Sequence, residues 1–536
     1  MVAEGELDLL RRQLVVLQGA VAVLLWVVTC AGLVHLRHRR RGGDKPSSSS
    51  ASSPPGLPLL LRHPPSAAAV SSLPAMVPGG CVLNVLDFGA KADDTTDCTA
   101  PLQKAMDAMK DGDFLFFPAG TYKTTSTIAI GGRGGSVSST SAAPPPWAPT
   151  KLVHGITIFG TRHSIIHHNP GVTGKGFGHR VWDVHGPRAL IRDMCFANQE
   201  EYPHTGAGPN INVQQSAEFT ELARLSFHCT GQNAMVVCCR GINIHDCVVT
   251  ASPEHGVYLS GGSYNLQTPS DARIENNHFE NIAKNGIQVQ NANASPWVLE
   301  GTIISGNVFR NVHVGVFISE SYVGLNFAMP IKGKPPLGTV KGSKSGAEAR
   351  VDPGEWEAFH GQPGWARASC LASSYPAVFE VGETLTWSGG GSGVLAEVWY
   401  DKVSRCSITG NQFLRDDTIV PVPAPGNAML PIAPQIGVTM GNSSSDIIVS
   451  DNIFRGMAQM AVCVNSSGAI DGCSGVSVRN NLIDGAGLGG LGVWFQKCEA
   501  VSICGNMLRG APIADNGHAK NMLIQQNVTC LTDIPP

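Results

Sequence analysis

From about residue 220 onwards one short unit keeps returning, and that recurrence constrains the chain more than any single motif. The unit reads apolar-x-apolar, two polar residues often ending in asparagine, then a bulky apolar pair. Its copies are INIHDCVV from Ile242, ARIENNHF from Ala272, TIISGNVF from Thr302, CSITGNQF from Cys406, DIIVSDNIF from Asp446, VSVRNNLI from Val476 and VSICGNML from Val501. Anchored on Asn277, Asn307, Asn411, Asn452, Asn481 and Asn506, the steps are 30, 104, 41, 29 and 25 residues. Short alternating strands at that period, without long helices, specify an all-β solenoid built from one coil per repeat. The composition agrees: 62 glycines serve turns that need positive φ, and only 15% of residues are charged. A net charge of -3 offers no basic face after residue 45, which excludes nucleic acid as a partner.

The same pattern divides the chain. Residues 1–13 form a tail, and residues 14–34 are an uncharged apolar run long enough to cross a bilayer as a helix. Residues 35–80 are basic, then Ser/Pro-rich, and read as a linker. The solenoid is expected over 81–320 and 404–536, interrupted by a β insertion at 321–403. Arginines flank the apolar run on both sides, with more of them after it, which favours a cytosolic large domain by charge alone. Asn442, Asn465 and Asn527 begin glycosylation sequons and favour the opposite side. The expectation is a single-pass membrane protein with a lumenal or extracellular large domain. None of the 15 cysteines sits in a CxxC pair, so they read as small apolar core residues, not zinc ligands.

The start of the folded part carries a further signal. NVLDFGAKADDTTDCTAPLQKAM from Asn84, followed by FLFFPAGTY from Phe114, resembles the N-terminal signature of the pectate-lyase-like, polygalacturonase-like superfamily. The resemblance implies a right-handed single-stranded parallel β-helix, here of about ten coils at the observed period. It also implies an N-terminal helix, spanning Asp94 to Met109, that caps the first coil. Asp94, Thr95, Thr96 and Asp97 supply N-cap chemistry, and Leu102, Ala105, Met106 and Met109 the apolar face. Superfamily members include polysaccharide hydrolases, lyases, epimerases and viral tailspikes, so the signature specifies fold more than reaction. The hydrolases' Gly-Asp-Asp and Arg-Ile-Lys motifs are not matched, since Asp416-Asp417 follows Leu-Arg.

In a solenoid, equivalent residues of successive coils lie about 4.8 Å apart. Aligning EHGVYLS, KNGIQVQ and HVGVFIS on Gly256, Gly286 and Gly315 gives one column of Gln232, Glu254, Lys284, His313, Gln435 and Gln459. A second, outward column reads Val236, Tyr258, Gln288, Phe317, Thr439, Cys463 and Trp494, while Val257, Leu259, Ile287 and Val289 alternate inward. Glu254, His255, Tyr258, Lys284 and His313 are the candidate catalytic residues: a cation to neutralise a uronate carboxylate, and a base to take the proton beside it. Gln288, Phe317 and Trp494 are candidate contacts to an acidic polysaccharide. Lyase or epimerase chemistry is the leading expectation. Hydrolysis by carboxylates among Asp246, Glu254, Asp416 and Asp417 is one alternative, and a non-catalytic adhesin or tailspike-like surface another. The bland alternative is a solvated Glu-Lys-His ladder worth roughly 0.2 to 1 kcal/mol per pair. No cofactor is required by the sequence; calcium and the oligomeric state are left open. His167-His168 lacks a third ligand at metal-binding spacing. Trp356, Trp365 and Trp387 serve either the insertion's core or a sugar platform.

Overall fold

The computed structural model describes residues 80–132, 152–169, 180–198, 208–228, 232–260, 269–290, 299–318, 325–333, 338–351, 356–358, 365–370, 379–400, 403–415, 421–424, 428–431, 436–441, 444–465, 473–485, 491–496, 498–515 and 519–530. The apolar run at 14–34 lies outside them. Among the described residues no helix is long and apolar enough to cross a membrane.

Each repeat folds into one coil of three short strands, and coils stack by parallel pairing into three faces. The first face is a 13-stranded sheet from Val82–Asn84 to Leu523–Gln525. The second runs from Asp93–Asp97 to Val528–Cys530 and the third from Ile128–Ile130 to Ile513–Asp515. Wholly parallel stacking with one-way progression is a parallel β-helix, consistent with the right-handed sense of parallel crossovers. Thirteen coils exceed the expected ten because the early coils lack the asparagine that marks the later ones.

That asparagine explains the repeat. The corner between first and second faces is a two-residue turn whose first member has positive φ, as at Asn276 (56°), Gly306 (65°), Gly410 (67°) and Asp451 (58°). Only glycine, asparagine and aspartate adopt this conformation at low cost. The second member is the repeat asparagine. The Oδ1 of Asn307 accepts from the backbone N and Nδ2 of Asn277 at 2.9 and 3.0 Å, and its Nδ2 donates to the Ile274 carbonyl. The pattern continues through Asn411, Asn452, Asn481 and Asn506 to Asn527, so polar groups buried at the corner satisfy one another.

Inside, the first residue of each second-face pair points outward and the second inward. Phe279, Phe309, Phe413 and Phe454 stack with centroid spacings of 5.1, 4.8 and 4.6 Å. Beside them a glycine column at the second-to-third corner is forced by space. A Cβ on Gly256 would lie 2.6 Å from the Phe279 ring, and one on Gly286 2.6 Å from Phe309. Cys247, Cys406, Cys473 and Cys498 are buried with free thiols, filling the core as small apolar residues.

The helix Thr99–Ala108 buries Leu102, Ala105 and Met106, as the amphipathic pattern requires. Its start differs from expectation. Asp93–Asp97 is a strand, and Cys98 at the N-cap position makes no side-chain cap bond. Asp97 instead accepts from the amide and hydroxyl of Thr99. Gln103 donates to the Ala129 carbonyl and accepts from its amide, meeting the free edge of strand Ile128–Ile130 as another strand would.

Between Val308–Ile318 and Val403–Ser404 the chain leaves the stack and builds an antiparallel sheet with its own core of Met329, Val340, Val351, Phe379, Leu385, Trp387 and Leu395. Glu383, fully buried, accepts from the amides of Lys344, Ser345 and Glu380. Trp387 packs in this core; the side chains of Trp356 and Trp365 lie outside the described residues.

Candidate functional site

The third face carries the polar and aromatic side chains that the column alignment singled out. Its register pairs Val236 with Tyr258, Tyr258 with Gln288, Gln288 with Phe317, Phe317 with Thr439, Thr439 with Cys463 and Cys463 with Trp494. Val257, Leu259, Ile287 and Val289 are fully buried on the opposite side of the same strands. A slip of one residue would have exchanged the two sets.

Within this frame, Lys284 Nζ donates to Glu254 Oε1 at 2.6 Å across adjacent coils, with Lys284 exposed and Glu254 half-buried. His313, exposed, follows in the next coil. Beside them is a dense amide cluster. Asn285 Nδ2 donates to Gln288 Oε1 at 2.6 Å, Gln288 Nε2 donates to Gln290 Oε1, and the Tyr258 hydroxyl donates to the same oxygen at 3.2 Å. Burial pushes the Tyr258 phenol up to about 12, against an opposing hydrogen bond with Ser260, so it stays protonated. Phe317 and Trp494 are half-buried in the same column.

His255 departs from expectation. It is 8% exposed, not on the open face: it shares the parity of the inward-facing Val257 and Leu259, and its ring lies against Tyr258 at 5.4 Å between centroids. Its backbone amide donates to Asn233 Oδ1. Burial, aided by the Lys284 charge, holds the imidazole down at about 3, so it is neutral and a weak base. Its Nδ1 is buried without a hydrogen-bond partner among the described residues.

Of the carboxylates proposed for hydrolysis, the two among the described residues, Asp246 and Glu254, do not share a face. Asp246 occupies a first-to-second corner (φ 55°) and accepts from His245, whereas Glu254 begins the third face. Asp416 and Asp417 lie outside the described residues. Among the glycosylation candidates Asn442 lies outside as well, and nothing is described of the Asn465 side chain. The Asn527 amide is engaged in the ladder, donating to Ile503, so a glycan on that nitrogen competes with the fold.

Two features escaped the sequence reading. The hairpin Pro421–Ala424/Ala428–Pro431 lies beside the stack, with Pro421–Ala424 next to strands Val248–Ser252 and His278–Gln290. Upstream in the same outward column, Asp183 pairs in register with Asn212, which pairs with Val236. Asp183 Oδ1 accepts from Asn212 and Gln214 at 2.7 Å, and Arg180 and His185 donate to its oxygens at 3.2 and 3.3 Å. Burial alone would raise its pKa, but the bond from His185, the Arg180 charge and the bond from Gln214 outweigh it and hold the carboxyl below its usual range. Irregular spacing before residue 220 hid this coil from the alignment. Among the described residues no group of three or more His, Cys, Asp or Glu could hold a metal ion.

Comparison with known proteins agrees with the coil geometry. Residues 82–317 match the family described as Rhamnogalacturonase A/epimerase, pectate lyase-like. Residues 82–317, part of the parallel β-helix described above, are thus similar to that pectate-lyase-like family, as the N-terminal signature suggested. A putative rhamnogalacturonase D of Aspergillus niger is 24% identical over 230 residues, 38% of this chain and 51% of that protein. A probable rhamnogalacturonase B of Neosartorya fischeri is 45% identical over 47 residues, 9% of each chain. The chain thus spans about half the length of the first of these relatives and a small part of the second. Among solved structures, the A-module of a mannuronan C-5 epimerase from Azotobacter vinelandii has a TM-score of 0.46 at 13% identity, covering 84% of this chain and 98% of that one. A family 28 exopolygalacturonase of Yersinia enterocolitica has 0.44 at 11%, covering 84% and 78%.

Proposed function

We propose that the third face holds an acidic polysaccharide and that Glu254, Lys284 and Tyr258 act on its uronate units by elimination or epimerisation. The single observation behind this reading is the exposed Lys284–Glu254 pair beside the register column of Tyr258, Gln288 and Phe317. An arriving uronate carboxylate exchanges with Glu254 for Lys284, which neutralises it and releases Glu254 as an acceptor. Glu254 then takes the proton beside the carboxylate, and the electron pair left behind spreads onto the carboxylate facing Lys284. Tyr258, held protonated, returns a proton to carbon in epimerisation or to the departing oxygen in elimination. Gln288, expected as a substrate contact but 6% exposed, and Gln290 hold the Tyr258 hydroxyl in place, and the Phe317 ring takes a sugar face. Residues 14–34 would tether this right-handed solenoid to a membrane from the lumenal or external side, which alkaline extraction and protease protection test.

Full-length protein in detergent, incubated with pectate, alginate and glycosaminoglycans, tests the chemistry. Ultraviolet-absorbing unsaturated products that vanish in Lys284→Ala support elimination, and solvent deuterium entering the polymer without cleavage supports epimerisation. Binding without either leaves the adhesin. The rhamnogalacturonase relatives favour hydrolysis as a second reading, seen as new reducing ends without absorbance. Among described residues its acids on this face would be Asp183 and Glu254, three coils apart, about 14 Å along the stack at the strand spacing, and four residues offset along the strand as well. Hydrolytic pairs stand about 5 to 10 Å apart.

A further inference from the structure

The Asp183 cluster is not demanded by the coil that holds it. Its register neighbours in the outward column are Ala129 on one side and, beyond Asn212, Val236, so an aliphatic residue fits this column. Nevertheless five polar side chains converge here. Asp183 and His185 are largely buried and Asn212 is 4% exposed, while the Arg180 guanidinium reaches solvent with 40% of its side chain exposed. Gathering charge on a buried spot costs more than an aliphatic would, so a role beyond the fold is indicated. The cluster's charge balances, one carboxylate against one guanidinium, which suits neutral hydroxyls better than a second carboxylate. A planar guanidinium beside a carboxylate and two amides offers paired donors and acceptors to neighbouring hydroxyls.

We propose that Arg180, Asp183, His185, Asn212 and Gln214 form a separate subsite for an uncharged, hydroxyl-bearing sugar unit, three coils from Tyr258. The proposal rests on the reading of the third face as a polysaccharide site and adds a length requirement. A ligand must bridge about 14 Å, three strand spacings, to engage both centres. Asn212 and Gln214 act by holding Asp183 and Arg180 in place.

The test measures binding of size-graded oligosaccharides, cut from the polymer that the full-length protein binds, to the parent, Asp183→Asn, Asn212→Val and Gln214→Leu. The last two copy the aliphatic character of the column and guard against a variant that does not fold, which thermal unfolding reports. The expected result is about tenfold weaker binding of fragments long enough to reach both centres, a loss of one good hydrogen-bonded contact. Fragments too short to bridge should bind parent and variants alike. Equal binding of long fragments by folded variants overturns the subsite while leaving the third-face reading intact. A parent that binds no polymer overturns both.

Discussion

Lys284 and His255 lie side by side yet respond to opposite perturbations. The Lys284–Glu254 pair is exposed on its lysine side, so it adds at most about 1 kcal/mol to stability. Lys284→Ala should therefore leave thermal unfolding nearly unchanged while weakening binding of an acidic polymer about 10- to 100-fold, read by calorimetry. Equal affinity in the variant would reduce the pair to a surface ladder. His255 couples the fold to pH. Its folded pKa is about 3 against an ordinary 6.5, so between those values the unfolded chain takes up a proton that the folded chain refuses. Stability is therefore lost as pH falls through that window, by about 2 kcal/mol from near pH 7 to near pH 5. His255→Gln should flatten this slope in urea titrations at the two pH values; an unchanged slope would place the acid sensitivity elsewhere.

At the level of elements, the asparagine ladder and glycine column divide the work of the corners. Asn411 accepts from both nitrogens of Asn307 and donates to the Ile304 carbonyl, all buried. Asn411→Ala should cost about 3 kcal/mol in chemical unfolding, since it strands those groups, whereas Asn527→Ala at the ladder's half-buried end should cost clearly less. Gly315→Ala sets a Cβ against the Phe413 ring and 2.6 Å from the Gly437 carbonyl, and should cost about 1 to 3 kcal/mol. These corners were legible because asparagine, glycine and phenylalanine recur at fixed offsets. The outward column was legible too, since Gly256, Gly286 and Gly315 fix its register. The earliest coils were not, because Met194 and Leu225 replace asparagine at their corners and the spacing there is irregular. Asp183 went unseen for that reason. His255 was misplaced because it was grouped with its outward neighbours Glu254 and Tyr258, although its parity is that of inward-facing Val257 and Leu259.

For the whole molecule, the described strands of the coil stack pair with those of neighbouring coils, the hairpin Pro421–Ala424/Ala428–Pro431 apart, so stability is largely local and transmitted along one axis. The helix Thr99–Ala108 closes the first coil, with Leu102 and Ala105 fully buried beneath it. Leu102→Asp should expose that end and speed amide hydrogen exchange in Val82–Asn84 and Ile128–Ile130, leaving strands beyond Ile303–Ser305 protected. Uniform acceleration along the chain would show a single cooperative unit instead.

The insertion sits across an undisturbed seam. Ile304 pairs with Ile408, Phe309 with Phe413 and Val316 with Val438, as if nothing intervened. A stack that closes so cleanly around a foreign sheet tolerates cargo at that seam. Another fold whose ends meet would leave those registers as they are, which makes the solenoid a rack and the segment between Ile318 and Val403 its open slot.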